Sequence, residues 1–163
     1  MTVLAKIVDF LNNIGIETSE GVVPDSSFLP GVRITSGQLV YDPASLTWPG
    51  DLLHEAGHIA TVPSSLRSML SDGVELPEPA TYATEAEATA WAYAAVRHLQ
   101  LDPAVLFHCG GYHGASDRLI STFSLGVYPG AFGLAQSGMT VVAEDTCAHG
   151  ASVYPEMRQW LRS

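Results

Sequence analysis

Residues 54–58 read His54-Glu55-Ala56-Gly57-His58, an H-E-x-x-H string, and the reading of that stretch organises everything around it. On an α-helix, imidazoles four residues apart point the same way one above the other, within reach of a single metal ion. Glu55 precedes His58 by three positions and shares their side of the helix. There its carboxylate can take a proton from a water on that ion without being a ligand. The metal this implies is zinc. Leu52, Leu53, Ala56, Ile59 and Ala60 supply apolar residues around the rest of the helix. Pro49 and Asp51 suit a first turn, and Pro63 stops the helix beyond Val62. Gly57 in mid-helix costs about 1 kcal/mol against alanine, which predicts that another element comes close to it. The competing reading is a buried helix whose histidines are merely hydrogen-bonded. It requires separate partners for two histidines and a glutamate on one face.

A catalytic zinc needs a third protein ligand and an open position. Downstream, the run Thr84-Glu85-Ala86-Glu87-Ala88-Thr89-Ala90-Trp91-Ala92-Tyr93-Ala94-Ala95-Val96-Arg97-His98-Leu99 reads as a helix with two carboxylates near its start. Its apolar stripe comprises Ala88, Trp91, Ala92, Ala95, Val96 and Leu99, and one turn further back the stripe reaches Glu85. The phase therefore turns Glu85 inward and favours it as the third ligand. Glu87 lies about 200° around from Glu85 and is the weaker candidate, or a supporting partner. An ordinary role for either acid is to complement the positive end of the helix dipole, which explains an exposed glutamate better than an inward one.

His-Glu-Ala-Gly-His followed by Glu85-Ala86-Glu87-Ala88-Thr89-Ala90-Trp91-Ala92 resembles the gluzincin pattern of H-E-x-x-H plus a downstream Glu. It is most similar to the ImmA/IrrE-type zinc metallopeptidases. In that family the second helix typically reads E-x-E-A-N-x-F-A, and here Thr89 stands for the Asn and Trp91 for the Phe. The helix ends Val96-Arg97-His98-Leu99, where the family has a Leu-Leu-Met-Pro type of ending. The resemblance spans residues 31–99. It implies His54, His58 and Glu85 as zinc ligands, Glu55 as general base, and a small sheet lying against the metal helix. An edge strand of that sheet would line the cleft, where an extended peptide can add its own backbone hydrogen bonds. A hairpin that only packs the core is the alternative.

The preceding chain suits such a layout. Val3, Leu4, Ile7, Val8, Leu11 and Ile14 recur at helical spacing and Gly15 follows as a stop, predicting an amphipathic helix over 2–14. Gly31-Val32-Arg33-Ile34-Thr35 and Gln38-Leu39-Val40-Tyr41-Asp42 are β-rich runs joined by Ser36-Gly37, a tight hairpin turn, with Pro43 ending the second. After the metal helix, residues 62–83 read mostly as an acidic loop containing Pro63, Gly73, Pro77 and Pro79. Ser64 or Ser65 would cap a short turn there, through Leu66, Met69 and Leu70. This connection either covers the cleft or is plain surface, and acids at its border would favour cationic substrates.

Beyond residue 100, helices are expected from Pro103 to Phe107 after Asp102 and from Ser116 to Leu125. Gly110, Gly111 and Gly114 interrupt the chain between them. The string Phe107-His108-Cys109-Gly110-Gly111-Tyr112-His113-Gly114 offers His108, His113 or a tyrosine as donor to an oxyanion at the metal. The plainer alternative is capping or surface polar residues beside glycines. Adjacent Cys109 and His113 do not by themselves make a nucleophilic dyad. Tyr128-Pro129-Gly130-Ala131-Phe132-Gly133 reads as a loop, and Pro155–Leu161 as a closing helix with Met157, Trp160 and Leu161 inward.

With 163 residues, 47% of them hydrophobic, the chain suits one compact α+β domain, its core in residues 1–100 and a helical C-terminal extension over 101–163. No repeat or low-complexity tract interrupts it. A formal charge of -10 argues against nucleic acid or an anionic membrane as partner. No uninterrupted apolar stretch reaches the length of a membrane span, and the first helix, with Lys6 and Asp9, lacks the features of a signal peptide. Two cysteines, Cys109 and Cys147, make no disulfide framework, so a reduced cytoplasmic setting is expected. The expected function is zinc-dependent hydrolysis of a peptide bond in a peptide or protein substrate. The alternative is a metal-stabilised binding or regulatory domain whose long C-terminal third closes the site. Iron or manganese would also accept two histidines and a carboxylate, but the H-E-x-x-H helix favours zinc.

Overall fold

The computed structural model describes residues 1–73, 76, 84–142 and 152–163. It is a mixed α and β structure in which a three-stranded sheet and a pair of central helices share one core. Helix α1 (Val3–Asn13) opens the chain, its first turn capped by the Thr2 hydroxyl, which accepts from the Ala5 N–H. Ile7, Phe10 and Leu11 are its buried face. The helix stops at Gly15, which adopts φ +95°.

Strand β1 (Thr18–Glu20) follows, then β2 (Val32–Thr35) and β3 (Gln38–Tyr41). The order is β1-β3-β2, with β2 antiparallel and β1 parallel to β3. The hairpin turns at Ser36 (φ +51°) and Gly37 (φ +74°), the paired left-handed conformation that a two-residue turn requires. Strand β1 is absent from the sequence expectations. Its three residues show one buried and two exposed side chains, too short a run for alternation to register.

Helix α2 (Gly50–Thr61) carries the H-E-x-x-H string and lies against β2, β3 and α4 (Glu85–His98), the α2–α4 contact being the most extensive between any two elements. A β-carbon placed on Gly57 would sit 2.4 Å from the Ala88 carbonyl oxygen, so the glycine is what lets the two helices touch backbone to backbone. Helix α4 is buried nearly all round from Glu87 to Val96, which makes the expected stripe too narrow a description.

The segment after α2 holds a single helical turn, α3 (Ser64–Arg67). Its N-cap is Pro63 rather than a serine, and no side chain caps it. Residues 70–72 then fasten to the hairpin. Gly37 N–H donates to Leu70 O, Ser36 N–H to Ser71 Oγ, and Ile34 exchanges hydrogen bonds with Asp72. Together with a bridge between Leu29 and Val32, these contacts occupy the outer edge of β2, leaving that edge no room for an added strand. The proposed cleft cover over the rest of this connection falls on residues outside those described, as does Cys147.

The expected helix after Asp102 is one 3₁₀ turn (Pro103–Val105), with the Asp102 carboxylate accepting from Ala104 N–H. A second 3₁₀ turn (Tyr112–Gly114) leads into α5 (Ser116–Ser124). The expected loop at 128–133 instead starts α6 (Ala131–Gln136) after Gly130. The expected closing helix is absent: residues 155–161 run as turns and bends. Their backbone donors go elsewhere, Arg158 and Gln159 to Met139 O and Arg162 to Ala60 O. Met157, Trp160 and Leu161 nevertheless pack on the core. The C-terminal third is thus less helical than its pattern implies. Among the described residues, no helix is long and apolar enough to cross a membrane.

Candidate metal centre

One turn of α2 separates His54 from His58, and their Nε2 atoms stand 3.3 Å apart. The first residue of α4 closes the group. Glu85 Oε2 lies 3.3 Å from His54 Nε2 and Glu85 Oε1 lies 3.2 Å from His58 Nε2. One ligand atom from each of the three residues lies within 4.8 Å of the other two, and these residues could hold a metal ion. Among the described residues no other group of three does so. Each imidazole faces its own oxygen of the Glu85 carboxylate, so the same arrangement also suits two imidazole–carboxylate hydrogen bonds.

The phase argument for Glu85 brings it to both histidines, but not into the interior. Its side chain is 79% exposed, so the carboxylate reaches the site from the rim. The histidines beside it hold that carboxyl far below the usual range. Glu87 is the inward one, 7% exposed, and is occupied by a capping box. Its carboxylate accepts from the Thr84 N–H and hydroxyl, while Thr84 Oγ1 accepts from the Glu87 N–H. That arrangement removes Glu87 as a ligand and fixes the turn on which Glu85 sits.

Glu55 follows His54 on α2 and is largely withdrawn from water. Burial pushes its carboxyl pKa up, and the nearby Asp72 and Glu85 charges add to the rise while the two histidines oppose it. A carboxylate so placed accepts protons more readily than an exposed one.

A cleft of about 660 Å³ opens beside the trio, lined by His54 and Glu85 together with Asp51, Trp48, His108 and Tyr112. His108 is 5% exposed, and its Nε2 lies 2.8 Å from Asp51 Oδ1 at the start of α2. Its ring stacks on Trp48 at 4.6 Å and 6°. Its Nδ1 is buried with no hydrogen-bond partner. With one nitrogen committed to Asp51 and the other sealed from solvent, His108 is a fixed wall, neither the free donor nor the surface residue that the sequence suggested. His113 is exposed at the lip.

Tyr112 lines the cleft as well. Its ring sits edge-on to His54 at 6.2 Å. Burial, followed by the charges of Asp51, Glu85 and Glu55, raises its phenol pKa, so the hydroxyl keeps its proton. Tyr112 and His113 both adopt left-handed backbone, at φ +57° and +51°, each at a cost of about 1 kcal/mol or more. The pairing of Asp51 with His108, 57 residues apart, leaves no local signal in the sequence. The capping box does, since Thr84-Glu85-Ala86-Glu87 is its signature.

Compared with known proteins, the chain matches no family model, no curated protein and no solved structure.

Proposed function

We propose that the chain is a zinc-dependent peptidase of zincin type, with His54, His58 and Glu85 as ligands and Glu55 as general base. The observation that carries this is the convergence of the three side chains. Donors 2.0–2.1 Å from a tetrahedral zinc are separated by about 3.3–3.4 Å; the two Nε2 atoms stand 3.3 Å apart, and each lies 3.2–3.3 Å from one oxygen of the Glu85 carboxylate. Zinc held there supplies Lewis acidity, polarising a carbonyl and making water nucleophilic near neutral pH. Glu55 takes the proton of the attacking water on its carboxylate oxygen and passes it to the leaving nitrogen. Its raised pKa suits both halves of that transfer. The Tyr112 phenol, kept protonated, donates to the oxygen that gains negative charge.

A purely structural zinc site gains nothing from a general base, and the cleft beside the trio favours turnover over a closed binding domain. Metal content and hydrolysis of a peptide library by zinc-reconstituted protein test this reading. The wild type should hold about one zinc per chain, lost in Glu85→Ala and kept in Glu87→Ala and Glu55→Gln. Glu55→Gln should cut turnover by about 10²–10⁴-fold. Absence of stoichiometric zinc after reconstitution would sink the proposal.

A further inference from the structure

The cleft also carries information about what it takes, and this inference rests on the peptidase reading. The wall beyond His54 is aromatic and apolar: Phe28, Leu29, Pro30, Trp48 and Tyr112, with Gly110 between them. Phe28 is 90% exposed, a large ring left in water at the edge of a cleft that contains two metal-site residues. Its neighbours, in contrast, are firmly fixed. Trp48 is held face to face with His108, which Asp51 ties to the same helix that bears His54 and His58. A β-carbon on Gly110 would lie 2.5 Å from Trp48 Nε1, so the glycine is what lets the chain pass close against the indole. Tyr112 packs edge-on against His54 at 6.2 Å and Phe107 at 5.3 Å, on a backbone conformation that non-glycine residues avoid.

The lining of the cleft includes Asp51 and Glu85 beside three histidines, His54, His108 and His113, but no lysine or arginine. The volume lies within the range of about 300–1,000 Å³ usual for small-molecule pockets, room for a large side chain together with its flanking backbone.

We propose that this cleft is a specificity pocket for an aromatic side chain of the peptide substrate, next to the bond that is cut, and that Phe28 closes over that side chain. Trp48 and Tyr112 give the bound ring offset or edge-on aromatic partners, the arrangements such rings prefer. Phe28 is then the lip whose exposed surface becomes buried on binding.

The test separates binding from turnover. Blocked pentapeptides Ala-Ala-X-Ala-Ala, with X as Phe, Leu, Ala, Lys or Glu, are titrated into zinc-loaded Glu55→Gln protein. Binding is followed by NMR at the Gly110 and Gly111 amides and the Trp48 indole. Phe should bind about tenfold more tightly than Ala. Phe28→Ala in that background should cost the Phe peptide roughly 3- to 10-fold while leaving the Ala peptide unchanged, and Phe28→Tyr should restore it. Equal binding of Phe and Ala, or indifference to Phe28→Ala, overturns the pocket assignment. Selective binding without hydrolysis of the Phe peptide by wild-type protein would instead sink the peptidase reading and leave the pocket standing. Hydrolysis with no preference at X would do the reverse.

Discussion

Gly57 carries more of the site than its lack of a side chain suggests. The distance between α2 and α4 sets the distance from the two histidines to Glu85, and that distance is allowed by a backbone contact at Gly57 and Ala88. Gly57→Ala gains about 1 kcal/mol of helix propensity but forces a methyl group into a space that the Ala88 carbonyl fills. Overpacking of this kind costs about 1–3 kcal/mol, and the rigid partner is backbone, so the cost should win. Urea unfolding of metal-free protein should show the loss of stability. A zinc titration should show weakened affinity as well, because the helices must part to admit the methyl. Unchanged affinity in a destabilised variant would mean that the rim position of Glu85 absorbs the shift. The exposure of Glu85 makes that outcome a real competitor.

At the scale of elements, what the sequence reveals depends on where each segment sends its backbone bonds. Helices α1, α2 and α4 and the β2–β3 hairpin are legible because they satisfy themselves locally and each buries apolar residues at a regular period. The same logic pairs His54 with His58 from spacing, while adding Glu85 to them takes helical phase and the family resemblance as well. It fails for β1, whose pairing is with β3 across a long connection, and for the stretch 155–162, where Arg158 and Gln159 donate to Met139 O and Arg162 to Ala60 O. It fails again for His108, placed by an aspartate on another element. Helix α4 shows a subtler miss: the apolar pattern cannot distinguish an acid that faces a metal from one that caps the helix. The capping box makes its own prediction. Thr84→Ala removes the acceptor for the Glu87 N–H and should cost about 1 kcal/mol in thermal or urea unfolding. Because Glu85 sits in the turn that then frays, zinc affinity should fall as well, although Thr84 is not a ligand. A stability loss with unaltered affinity would show that the turn persists without its cap.

Over the whole molecule, the last twelve residues act as a strap on α2 and α4, the helices that carry the candidate ligands. Trp91 Nε1 donates to Trp160 O, Arg162 N–H donates to Ala60 O, and Arg67 spans Ile59 O, Val62 O and Arg162 O. Tyr154 is the deepest of these ties, its hydroxyl donating to Ala90 O at 2.8 Å in the middle of α4. Burial, then the neighbouring Tyr93 and Tyr128, push its phenol pKa well up. The sign of the linkage follows from proton binding. Above pH ~10 the unfolded chain has released this proton while the folded chain keeps it, so stability falls as pH rises. The tyrosine's contribution is therefore fully present below the unfolded pKa of about 10 and is lost as pH climbs towards the raised folded value. Tyr154→Phe should lose about 1 kcal/mol at pH 8, the worth of one buried hydrogen bond, with Ala90 O still able to accept within its helix. Its stability should then decline less steeply above pH 10, by up to about 1.4 kcal/mol per pH unit. Urea midpoints of the two proteins should therefore converge with rising pH. Parallel curves would mean that another group governs alkaline unfolding and that the strap holds α4 through Trp91 and Arg67 alone.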